Sequence, residues 1–284
     1  MRWTNIFRGF AMGITELIPG VSSGTIALLL GVYEQLLSSI KGLLGKSYRK
    51  SLQFLIPLVI GMGVSLLTLS SVMTYLLETH PIPTQMAFVG LVIGVLPMLW
   101  RLSQVRETFK APHIIMFIIG LTLLIGMSFI TPEEVSHSPE ITTLLLVKLF
   151  FVGVLAAMTL LLPGISGSLV LLIFGYYYIV VSSINELTSL NFTVLPVLIA
   201  VGLGILVGLY VGSVVITFLF THFKYMTYAG VMGLVLGSIS SIYPGLPTSP
   251  TMWVVTIVAF IVGFLISFLL GFVGEKEATS EDPK

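Results

Sequence analysis

The chain has 284 residues, of which 56% are hydrophobic and only 9% charged, and its mean hydropathy is +1.08. Soluble domains carry about 25% charged residues, so this chain cannot dress the surface of a water-soluble globule and the bilayer must solvate most of it. Its 13 Lys and Arg against 12 Asp and Glu leave no broad basic surface for nucleic acid, and the absence of Cys excludes disulfides, thiolate metal sites and a Cys nucleophile.

The chain opens on an apolar stretch, residues 3–40, broken by Pro19-Gly20 and then by Ser22, Ser23, Gly24 and Thr25. Pro removes a backbone donor and Gly releases the helix, so two short helices joined at a break are predicted. The limb before the break is about 15 residues, roughly 23 Å as a helix, which is short for a span and suits a re-entrant hairpin. This limb holds Glu16 and lacks a small-x-small cleavage site, so it does not read as a signal peptide. Three spans follow at 52–77, 84–100 and 112–130. A polar loop, 131–142, carries Glu133, Glu134 and Glu140. A second broken stretch, 143–184, is interrupted by Pro163-Gly164 and then by Ser166, Gly167 and Ser168. Three more spans are predicted at 194–220, 227–243 and 252–273, with a polar, disordered tail at 274–284.

The second half repeats the first. At a shift of 144, residues 7–40 lie on 151–184 with 13 identities in 34 positions, and Pro-Gly-x-Ser and Gly-x-Tyr fall in register. Gly90-Leu-Val-Ile-Gly94 and Gly233-Leu-Val-Leu-Gly237 echo one another at a shift of 143. The predicted fold is therefore an all-α polytopic membrane protein with an inverted repeat. Each half, 1–130 and 143–273, is a re-entrant broken-helix hairpin (3–40 or 143–184) followed by three transmembrane helices. With the N-terminus in the cytoplasm and hairpins that return to their own side, 12 of the 13 basic residues lie inside and only Lys148 lies outside. If each broken stretch crossed once, only seven would. The linker 131–142 is then extracellular and both termini are cytoplasmic.

Helix starts inside the membrane leave amide N–H groups without intrahelical acceptors. In hydrocarbon these are costly unless something fills them. Amides, hydroxyls and the positive ends of two helices suit an anion, a phosphate above all. The candidate phosphate-binding residues are Ser22, Ser23, Gly24, Thr25, Ser166, Gly167 and Ser168, with Pro19, Gly20, Pro163 and Gly164 as the breaks. Ser22 and Ser166 also read as helix caps. Arg8 could guide a phosphate from the inner leaflet or snorkel to the headgroups. Glu16 is an acid near mid-bilayer and a candidate for uptake of a proton coupled to anion binding, because a neutral carboxyl would not repel a phosphate. Glu34 is a second site acid or an interfacial anchor. Tyr177, which pairs with Tyr33 in the repeat, is the one tyrosine of its belt with a ligand reading. His80, His113, His137 and His222 do not cluster, so no metal and no cofactor is expected.

Gly13-Ile-Thr-Glu-Leu-Ile-Pro-Gly-Val-Ser-Ser-Gly-Thr-Ile-Ala through Gly31-Val-Tyr-Glu34, with Leu162-Pro-Gly-Ile-Ser-Gly-Ser168 and Gly175-Tyr-Tyr177, resembles the PopT family of bacterial polyprenyl-phosphate transporters. The resemblance covers essentially the whole chain. It implies recycling of undecaprenyl phosphate from the outer to the inner leaflet of the bacterial cytoplasmic membrane for cell-wall polymer synthesis. The partners it implies are the polyprenyl-phosphate lipid, membrane lipids and protons. The same motifs are distantly similar to undecaprenyl-diphosphate phosphatase. Matched residue by residue, Met12 stands where that enzyme has its first Glu, Thr25 where it has His and Gly167 where it has Arg. The cradle stays while groups needed for phosphoryl chemistry are replaced. The resemblance therefore implies transport without hydrolysis and no catalytic residues. The alternatives are the phosphatase and a channel or scaffold.

Overall fold

A computed structural model of the chain describes residues 3–17, 22–130 and 141–280, and every regular element among them is a helix. Pro19, Gly20 and linker residues 131–140 lie outside the described residues. The first half comprises α1 (Asn5–Glu16), α2 (Ser23–Leu29), α3 (Tyr33–Gly42), α4 (Tyr48–Thr79), α5 (Pro81–Leu102), the single turn α6 (Val105–Thr108) and α7 (Ala111–Ser128). The second comprises α8 (Thr143–Leu160), α9 (Gly167–Ile173), α10 (Tyr177–Thr188), α11 (Leu195–His222), α12 (Lys224–Ile242) and α13 (Pro250–Ser280). Seven helices are long and apolar enough to cross a membrane, or up to nine if each bent pair counts as one span. The protein is thus a multi-pass membrane protein.

Two expectations are corrected. Each broken stretch is three helices rather than two, because a second turn follows the short helix. There α2 and α3 meet at 118° and α9 and α10 at 114°. Gly31 (φ 66°) and Gly175 (φ 76°) make that turn in the left-handed region that an L side chain avoids. In both, a backbone N–H reaches back around the turn, Val32 to the Ala27 carbonyl at 3.0 Å and Tyr176 to the Leu171 carbonyl at 2.9 Å. The second correction concerns the C-terminus. α13 runs on to Ser280, so the polar segment expected as a disordered tail from 274 begins as helix.

Glycine faces set the helix packing. Lipid offers no hydrophobic drive between helices, so small residues that let backbones approach are the main device for close packing. Gly9 and Gly13 of α1 lie against Leu58 and Met62 of α4. Gly204, Gly208 and Gly212 of α11 lie against Phe150, Val154 and Met158 of α8. Gly90 and Gly94 of α5 lie against Phe260 and Phe264 of α13, and Gly233 and Gly237 of α12 against Phe117 and Leu121 of α7. In every pair the contacts advance in the same direction along both helices, so all four pairs are parallel. They also match between halves: Gly9 on Leu58 corresponds to Gly153 on Val201, and Gly90 on Phe260 to Gly233 on Phe117, at shifts of 143 or 144.

Candidate functional site

The start of α2 meets the second break. α1 ends at Glu16, and the described chain resumes at Ser22, whose extended backbone (φ −97°, ψ 133°) starts α2. The Ser22 hydroxyl accepts from the Gly24 N–H at 3.2 Å and donates to the Leu162 carbonyl at 3.1 Å. One residue past Pro163, the Gly164 N–H donates to the Thr25 hydroxyl at 3.1 Å. Gly164 is held twice over: its φ is +96°, and a Cβ there would come within 2.8 Å of the Leu234 backbone on α12. Ser22 and Thr25 of the first half are thereby fixed to the break of the second.

The two helix starts are unequal. Ser23 turns its N–H and hydroxyl toward the Glu16 carboxylate, and the Thr25 N–H bonds the Ser22 carbonyl at 3.0 Å. The start of α2 is therefore occupied by the chain's own acid and hydroxyls. It faces the carbonyls of Leu160 and Leu161 at the end of α8, not the start of α9. One carboxylate oxygen of Glu16 is buried without a hydrogen-bond partner among the described residues. Ser166 has the same extended backbone (φ −90°, ψ 133°), yet its hydroxyl caps nothing and is paired with the Ser168 hydroxyl at 2.7 Å. Ser166 and Gly167 are buried, whereas Ser168 is exposed. The hydroxyl pair of Ser166 and Ser168 is thus the more accessible part of the candidate site.

Other candidates fall elsewhere. Arg8 lies about 12 Å along α1 from Glu16, and its guanidinium donates to the Asn5 side-chain oxygen at 3.0 Å. Asn5 is fully buried and donates to the Phe54 carbonyl at 3.3 Å. Sequence reasoning passed over Asn5; a polar residue one helical turn before an intramembrane Arg was the available signal. Glu34 is exposed on the first turn of α3, within electrostatic reach of Tyr228. Tyr33 is spent on the protein itself, its hydroxyl donating to the Leu161 carbonyl at 2.7 Å. Tyr177 is half-buried, its ring edge-on to Tyr178 at 5.5 Å. Among the described residues no group of three His, Asp or Glu is placed to hold a metal.

A family model described as undecaprenyl phosphate translocase-like matches residues 12–256. A polyprenyl-phosphate transporter of Staphylococcus aureus is 45% identical over 263 residues, covering 92% of this chain and 93% of that protein. A polyprenyl-phosphate transporter of Vibrio cholerae is 30% identical over 250 residues, covering 84% of this chain and 76% of that protein. No solved structure matches.

Proposed function

We infer the function from membership: the chain belongs to the undecaprenyl phosphate translocase-like family, and its activity is transport of polyprenyl phosphate across the membrane. The observation that carries this reading is the 45% identity to a polyprenyl-phosphate transporter along nearly the full length of both chains. The paired breaks supply a place for the head group that this cargo requires. The phosphate binds among the hydroxyls and amides of Ser22–Thr25 and Ser166–Ser168 while the isoprenoid tail stays in lipid.

Glu16 gives the site its coupling. As a carboxylate it holds the Ser23 N–H and hydroxyl and repels a phosphate. Once protonated it releases both groups, and the head group takes them. Arg8, in the same helix, supplies positive charge on the path to the inner leaflet. Transport runs from the outer to the inner leaflet of the bacterial cytoplasmic membrane, returning the carrier to cell-wall polymer synthesis without hydrolysis.

Opposed halves make alternating access natural. The parallel pairs support that opposition. α5 and α7, joined by a short loop, cross in opposite senses; α12 runs with α7 and α13 with α5. In the repeat α12 is the counterpart of α5, and α13 of α7, so each of these helices runs against its counterpart. By the same reasoning Asn5, the 41–50 loop and the end of α13 share one face. The distribution of Lys and Arg makes that face cytoplasmic.

The test is reconstitution in liposomes with a polyprenyl monophosphate, a diphosphate and a soluble phosphate ester. Leaflet exchange of the monophosphate without release of inorganic phosphate is expected. Released phosphate would favour the phosphatase, and no exchange would remove the transporter reading.

A further inference from the structure

The glycine-lined helix pairs match between the halves, but the hairpins do not. In the first half α2 is buried along its whole length, and α3 packs against α11 of the other half. Tyr33 anchors that packing. It is 3% exposed, its hydroxyl bonds the Leu161 carbonyl, and its ring stands edge-on to Phe220 at 5.7 Å. Phe220 in turn meets Tyr228 at 5.0 Å. At the repeat offset the counterparts are α10 against α4, the Tyr177 hydroxyl on the Leu17 carbonyl, and the Tyr177 ring on Leu77. None of that packing is made: α10 has no comparable contact with α4. Val181 on α10 is 36% exposed, where its counterpart Leu37 on α3 is 2% exposed.

Two matched segments of like conformation but different packing mean that one chain already encodes both arrangements. Exchanging them between the halves requires no new chemistry, only a shift between two states of the same molecule. The acceptors fit this exchange. Leu161 caps the end of α8, and Leu17 caps the end of α1. Carbonyls at helix ends lack an intrahelical donor and need one from elsewhere.

We propose that Tyr33 and Tyr177 are reciprocal latches, one seated at a time, and that the seated one decides which face of the membrane the site opens to. This rests on the transporter reading above. Tyr33 seats beside Phe220 and Tyr228, at the end of α11 and the start of α12, on the face that also carries the 41–50 loop. The structure is therefore closed toward that face and receives its cargo from the other. In the exchanged state Tyr177 seats on Leu17, α10 closes on α4, and the site opens toward the 41–50 loop. Each latch acceptor lies two residues before a Pro-Gly break, so head-group occupancy and latch seating act on the same short segment.

One bond does not exchange. The Gly164 N–H donates to Thr25, but the counterparts are Gly20 and Leu169, and a leucine side chain accepts nothing. The Tyr33-seated state therefore holds one more hydrogen bond and is the resting state, favoured by about fivefold for one net hydrogen bond.

The absence of native Cys makes the test direct. One protein carries Tyr33→Cys with Phe220→Cys, another Leu77→Cys with Tyr177→Cys, and a third all four, each in proteoliposomes containing polyprenyl phosphate. A short bis-methanethiosulfonate reagent, each thiolate displacing a methanesulfinate to form a disulfide, should cross-link either pair, never both in one four-Cys molecule, and either cross-link should stop transport until reduced. Tyr33→Phe keeps the ring on Phe220 and removes only the hydroxyl. It should bring the two states to about parity, raising the 77–177 cross-link yield about threefold and slowing labelling of Val181→Cys about 1.7-fold. Loss of stability alone would speed that labelling. Labelling of Val181→Cys also reads the equilibrium where a Cys pair fails to assemble. Both cross-links in one molecule, no 77–177 cross-link in a protein that transports, or unchanged Val181→Cys labelling in Tyr33→Phe overturns the latches. Failure of the Cys-free native protein to move polyprenyl phosphate overturns the transporter reading instead.

Discussion

At the scale of single residues the chemistry turns on Glu16 and Thr25. Glu16 holds the Ser23 N–H and hydroxyl. In the proposed mechanism a phosphate takes these groups once the carboxyl is protonated, so head-group affinity should rise as pH falls. One linked proton gives up to about tenfold in affinity per pH unit. Glu16→Gln keeps the size and loses the titration. Binding of polyprenyl phosphate to this variant, measured across the pH range, should be flat where the native protein slopes. An identical slope in both would remove Glu16 from the coupling. Thr25→Val keeps the shape of Thr25 and deletes the acceptor for the Gly164 N–H. It should bring the seated and exchanged states to about parity and slow labelling of Val181→Cys about 1.7-fold. Glu16 and the serines stand out as candidates in the sequence because a carboxylate or a Pro-Gly-x-Ser break inside a hydrophobic run needs a reason to be there. It could not find that Glu16 fills the start of α2, because that pairing depends on how the chain folds back across the break.

At the scale of helices the packing rests on glycines that touch a neighbour, and not every glycine does. Gly61 faces the Ile6 carbonyl of α1, whereas Gly63, two residues along the same helix, has nothing within 4 Å. Gly61→Ala should destabilise the fold by about 1–3 kcal/mol through overpacking. Gly63→Ala should stabilise it by up to about 1 kcal/mol, through helix propensity alone. Thermal unfolding in detergent separates the two, and equal effects would refute the α1–α4 contact. The spacing Gly9-x-x-x-Gly13, Gly90-x-x-x-Gly94, Gly204-x-x-x-Gly208 and Gly233-x-x-x-Gly237 stands in the sequence, and helix partners could have been sought from it. The turn after each short helix was also present, as the paired Gly31 and Gly175. Their identity across the halves was seen, but a lone glycine in an apolar run does not announce a positive φ. The unequal seating of Tyr33 and Tyr177 was beyond reach: the repeat carries tyrosine at both positions, and only tertiary contact distinguishes them.

At the scale of the whole molecule, function depends on the side from which each half enters the membrane. Few charges are available, and the basic ones group at the ends of helices that the parallel pairs bring to one face. If α1 and α4 run together, the chain enters and leaves its first broken stretch on the same side; if α8 and α11 run together, so does the second. The two stretches start on opposite sides when the halves are inverted. Ser38 lies exposed on α3, and Ser189 lies exposed just beyond α10. Single-Cys variants at these positions should react with an impermeant thiol reagent from opposite sides of the membrane, Ser38→Cys from the cytoplasmic side and Ser189→Cys from the outer side. Reaction of both from one side would mean that the halves insert in the same orientation. The latches would then lose their basis too, because exchanging two hairpins that enter from the same face cannot alternate access between two faces.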